Sequence, residues 1–152
     1  MTNKSAHTLN DLIAIARDGK DFYEEAAQKV DHAELKTLFS RIAAHKSQLV
    51  TDLSAAVQAV GGKPETSGTM VGSLQQFYGK VRAAFGDKEY GYVAELEESE
   101  DRLLEAFDEA ARDADTPPAA RDVVTRLLPE VRATHDELRA RKHALKELKD
   151  RG

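Results

Sequence analysis

A chain of 152 residues, 41% of them hydrophobic, can bury one core and fits a single domain over residues 1–152. It has no cysteine, which excludes thiolate zinc sites, iron–sulfur clusters and thiol nucleophiles. A net charge of −5 argues against nucleic acid as the main partner. No apolar run approaches the length of a membrane span and the polar start "MTNKSAHTLND" is no secretory leader, so a soluble cytoplasmic protein is expected.

Apolar spacing and helix punctuation predict five helices, at about 9–31, 33–60, 69–85, 88–113 and 117–149. The first is expected to start at "HTLND", with Thr8 as cap and Asp11 favourable for the helix dipole, and carries Leu9, Ile13, Ala16, Tyr23, Ala27 and Val30 on one line. The second is expected to be capped by Asp31 and stopped by Gly61-Gly62; its line is Leu35, Leu38, Ile42, Leu49, Leu53 and Ala56. So short a turn between them makes these two helices antiparallel neighbours. After the loop "GGKPETSGT" comes a shorter helix whose face is Met70, Leu74, Phe77, Tyr78, Val81 and Phe85, ended by Gly86-Asp87. The next long helix points Val93, Leu96, Leu103, Phe107 and Ala110 inward. In "DADTPPAA", Thr116 is the expected cap of the last helix and Pro117 its first residue. That helix runs through Val124, Leu128, Val131, Leu138 and Leu145, and Pro129 should kink it by removing a backbone hydrogen bond.

The order is hairpin, long connection, hairpin. A connection of about 26 residues holding its own helix can travel the length of a bundle, which is the one-crossover arrangement of a ferritin-like four-helix bundle. Residues 87–115 are acidic and 139–152 basic; these surfaces are expected to face each other or water.

The stretch "VRATHDE" puts His135 on the inner line of the last helix, at steps of four and three from Val131 and Leu138. The same stepping puts Lys20, His45 and Glu100 on the inner lines of the other long helices, with Glu97 on the flank of Glu100. Two chemistries are open. Two histidines and a carboxylate suit Zn²⁺, Fe²⁺ or Mn²⁺. Alternatively Lys20, His45, Glu100 and His135 form a closed, hydrogen-bonded polar layer that fixes register. Lys20 favours the layer, because an ammonium beside a dication is repulsive. Asp18 and Asp21 are expected to point away from the seam and Glu24 to reach only its edge. There is no glycine-rich phosphate loop, Ser–His–Asp arrangement or zinc-finger spacing, and no catalytic residue is assigned. Tyr90 and Tyr92 read as aromatics covering their own core rather than a subunit contact.

The segments "TLNDLIAIARDGKDFYEEAA", "ELKTLFSRIAAHKSQLVTDL", "VGGKPETSGT", "ELEESEDRLLEAF" and "LPEVRATHDELRA" together resemble an uncharacterised bacterial family of ferritin-like four-helix-bundle proteins, over roughly residues 8–148. The resemblance implies that fold and a stress-related role, and no established reaction. More distantly the acidic helix is similar to that of ferritins and rubrerythrins, which use a Glu on helices one and three and Glu-x-x-His on helices two and four. Here Ile42 and Arg132 stand three before His45 and His135, so the two ligand glutamates are missing. The resemblance therefore extends as metal ligands only to His45, His135 and Glu97 or Glu100, with Fe or Zn the metals to consider. The leading expectation is a non-catalytic bundle that acts by binding or self-association, a homodimer being the assembly to look for. The rival is a mononuclear metal protein, and a di-iron oxidase is weaker still.

Overall fold

The computed structural model describes residues 3–70, 72–83 and 87–151. They form α1 (Lys4–Lys29), α2 (Ala33–Ala59), α3 (Ser73–Ala83), α4 (Lys88–Arg112) and α5 (Pro118–Arg151), with no strand among the described residues. The protein is all-α. Phe85 and Gly86, expected to close the short helix, lie outside the described residues.

Three helix starts differ from expectation. Helix α1 begins at Lys4, four residues before Thr8. Asn3 is its cap, accepting from the Ala6 amide at 3.0 Å while its own amide donates to the Val60 carbonyl at 2.9 Å. Asparagine caps as well as threonine, and nothing in "KSAH" breaks a helix, so the earlier cap takes the role. The α2 cap position falls to His32, whose side chain makes no capping bond, while the Asp31 carboxylate pairs with Lys88 at 3.2 Å. Helix α5 starts at Pro118. Pro117 stands just outside, its carbonyl accepting from the Arg121 amide at 2.9 Å. The α5 helix continues through Pro129; both Pro129 and Thr125, whose carbonyl loses its helical donor, are exposed, so water can replace the bond.

The core is split into two apolar halves. One joins the N-terminal half of α1 and the C-terminal half of α2 to the C-terminal half of α4 and the N-terminal half of α5, through Leu9, Ile13, Leu53, Phe107 and Val124. The other joins the opposite halves through Tyr23, Phe39, Ile42, Leu96 and Leu138. Each large side chain so buried contributes roughly 1.5–3 kcal/mol. This arrangement makes α1 antiparallel to α2 and α4 antiparallel to α5. It also places the end of α2 and the start of α4 at opposite ends, so the connection travels the full length.

Helix α3 rides on that connection. Phe77 stacks on Phe22 with centroids 4.4 Å apart and meets Tyr92 at 6.0 Å, and Val81 is buried beside them. Met70 and Leu74, expected on the same inner face, are exposed; Met70 precedes the helix and Leu74 sits on its outer side. Tyr92 is buried in its own core and Tyr90 is half-buried.

The preceding loop is fastened to α1. Gly61, at φ +79°, takes the left-handed turn that ends α2. Asn10 donates to the Lys63 carbonyl and accepts from the Glu65 amide, at 2.9 and 2.8 Å, and Arg17 donates to the Glu65 carbonyl at 3.2 Å. Asp18 accepts from the Thr69 amide and hydroxyl and is buried, although it was expected to face away from the core. At Gly68 a Cβ would overlap the Asp18 carboxylate, so only glycine fits.

Candidate functional site

Between the two apolar halves lies a polar layer. Its centre is Glu100 on α4, 1% exposed, with both carboxylate oxygens engaged. The Tyr23 hydroxyl of α1 donates to Oε1 at 2.8 Å. The Lys46 ammonium of α2, 4% exposed, lies 2.8 Å from Oε1 and 2.9 Å from Oε2. Gly19 and Ser99 border the layer: a Cβ at Gly19 would sit 3.7 Å from the Ser99 hydroxyl and 3.9 Å from Lys46 Cε. Burial and the neighbouring Glu100 charge push the Tyr23 hydroxyl well above its usual range, so it stays neutral and donates. Charge and hydrogen bonding close on themselves here: one cation, one anion and one neutral donor.

Three of the four residues expected in this layer lie elsewhere, His135 in a separate group and the other two at the surface. His45 is exposed, and its neighbour Lys46 takes the inward place. Lys20 is half-buried on the surface and pairs with Glu24 at 2.7 Å, while Gly19 turns inward. On a helix, steps of three and four both keep a residue near the seam. After Ile42 a step of three reaches His45 and a step of four reaches Lys46; after Ala16 the same choice separates Gly19 from Lys20. In each case the packing selected the residue the chemistry did not suggest.

Glu100 and His135 are both buried, but they belong to different groups. His135, on α5, contacts Asp101 of α4 through Nε2 at 2.5 Å and Asp136 through Nδ1 at 3.0 Å. Glu97, one turn before Asp101 on the same face, completes a set of three groups whose ligand atoms all lie within 4.8 Å of one another. Lys142 reaches Glu97 at 3.6 Å. Partial burial alone would lower the His135 pKa; hydrogen bonds to Asp136 and Asp101, with their charges, outweigh it and hold it above the usual value. This triad sits at the rim: Glu97 and His135 are largely buried, whereas the Asp101 side chain is 49% exposed. Asp101, Lys46 and the hydroxyl of Tyr23 are the site groups that the sequence reading missed. The spacing Glu97-x-x-x-Asp101, facing a histidine across a short-linked hairpin, was the available signal for Asp101.

No helix among the described residues is long and apolar enough to cross a membrane. Residues 4–113 match the sequence model of one protein family, described as a domain of unknown function, DUF2383. No curated protein and no solved structure matches the chain.

Proposed function

Because the chain belongs to the DUF2383 family, a domain of unknown function, its role has to be read from its own chemistry, and we propose a single-domain, ferritin-like four-helix bundle without a catalytic centre, acting in the cytoplasm by binding or self-association. The observation that carries this reading is the position of Lys46. Its ammonium is buried in the interior layer, 2.8 Å from the carboxylate that a buried metal would need. A dication there would face an adjacent positive charge, and Glu100 has no free oxygen to offer it. His45, the second histidine of the interior metal reading, is exposed, and Ile42 and Arg132 replace the glutamates on which di-iron oxidation depends in ferritins. A stress-related role follows only from the resemblance to ferritin-like proteins.

The test combines turnover with assembly. Protein supplied with Fe²⁺ in air should consume oxygen no faster than buffer, and sedimentation equilibrium should show a concentration-dependent dimer. Oxygen consumption that disappears in Glu100→Gln would overturn the non-catalytic reading. A strict monomer at all concentrations would remove self-association and leave binding of another partner.

A further inference from the structure

We propose that Glu97, Asp101 and His135 form a surface site for one divalent transition-metal ion of the Zn²⁺ class, bridging α4 and α5. The inference is independent of the scaffold reading, since it concerns the rim and not the interior layer.

Three features carry it. The first is geometry. Glu97 and Asp101 lie one helical turn apart on α4, His135 faces them from α5, and one ligand atom from each lies within 4.8 Å of the others. Bonds of about 2.0–2.2 Å span at most about 4.4 Å between two ligands of one ion, so an ion reaches all three once the side chains close in slightly and the His135–Asp101 contact opens to admit it. The second is the donor set. One imidazole with two carboxylates suits Zn²⁺, Mn²⁺ or Fe²⁺ and disfavours the hard, oxygen-only preference of Mg²⁺. The half-exposed Asp101 edge leaves room for water at the remaining coordination positions and a route for entry. The third is the orientation of the histidine. Nδ1 is held by the Asp136 carboxylate at 3.0 Å, which fixes the ring and leaves Nε2 directed at Asp101. A carboxylate behind the imidazole of a metal ligand orients it and raises its basicity. Lys142 is the opposing group: it lies 3.6 Å from Glu97, is 31% exposed and stands at the solvent edge, where its flexible stem can swing outward.

The site joins two helices that the sequence links only through a short turn, so a bound ion would clamp the α4–α5 hairpin. The measurement is calorimetric titration of tag-free protein with Zn²⁺, alongside thermal melting. One ion per chain and a rise in melting temperature with free Zn²⁺ are expected, with no comparable response to Mg²⁺. Asp101→Asn, at a half-exposed position, should fold normally and lose at least about tenfold in affinity, and Asp136→Asn should cost about 10–100-fold although it ligates nothing. His45→Ala, on the exposed face of α2, should bind as the natural chain does. Absence of stoichiometric binding would overturn the proposal. So would binding that survives His135→Ala and Asp101→Asn but is lost in His45→Ala, which would mark adventitious surface coordination.

Discussion

Two clusters of the same kind of chemistry lie at the same level of α4, on neighbouring faces, with Glu100 between Glu97 and Asp101 in the chain, and they differ in almost every physical respect. The interior group, Tyr23–Glu100–Lys46, is sealed between two apolar halves and both carboxylate oxygens of Glu100 are engaged from inside the protein. The rim group, Glu97–Asp101–His135, shares the same helix but opens to water through Asp101. The first contains its own counter-charge; the second holds two carboxylates against one imidazole and a half-exposed lysine at the solvent edge. Position relative to the core, more than residue type, separates a structural ion pair from a group able to exchange partners.

The largest test of this contrast is removal of one interior charge. Lys46→Met or Glu100→Gln should each cost about 3–5 kcal/mol, because the remaining group is buried without compensation. The triple variant Tyr23→Phe, Lys46→Met, Glu100→Leu should recover most of that loss. Urea denaturation of the three proteins measures it, and single losses below about 1 kcal/mol would show that water reaches the layer. Next in size is Tyr23→Phe, expected to cost about 1.5–3 kcal/mol for a buried hydrogen bond to a carboxylate. It also carries a pH signature. The folded-state pKa of Tyr23 is raised above the unfolded value of about 10, so this group's contribution is intact below pH 10 and is lost as pH climbs above it. Stability should therefore fall more steeply above pH 10 in the natural chain than in Tyr23→Phe.

Gly19→Ala should act in the other direction. A Cβ there meets only ordinary contacts, so the helix-propensity gain of about 0.5–1 kcal/mol should appear as higher stability. A loss instead would show that the Lys46 stem needs the open space. Smallest of all, Asp101→Asn without metal should change stability by no more than about 0.5 kcal/mol, since its side chain is half in water. A loss approaching that of Glu100→Gln would erase the distinction between rim and interior.

The helical architecture was legible because each long helix carries one continuous apolar line, and a pattern repeated over many turns averages out single ambiguities. The site was not, because it turns on single residues. His135 and Glu100 sit at positions where neighbouring steps agree, between Val131 and Leu138 and between Leu96 and Leu103. His45 and Lys46 are separated by one helical step, about 100° around the axis, and the flanking leucines tolerate either. Lysine is so rarely buried that histidine was the natural choice. What decides for Lys46 is a partner on another helix, Glu100, and an inward Gly19 that leaves room for its stem. Neither relation is written locally. The Asn3 start was hidden for a different reason: its second anchor is the Val60 carbonyl, which folding alone brings near.

The fastening of residues 63–69 changes how that segment should be regarded in engineering. With its glycine, proline and small polar residues it has the composition of a place to cut the chain, insert a tag or begin a circular permutation. Its backbone, however, is gripped at Lys63, Glu65 and Thr69 by side chains 51 to 55 positions away, and at Glu65 again by Arg17. One added residue would break the register between the Asn10 and Asp18 anchors and press a side chain against the Asp18 carboxylate, where Gly68 now sits. The segment behaves as a splint laid along α1, and a graft would be better placed at the exposed Asp113–Asp115 turn between α4 and α5.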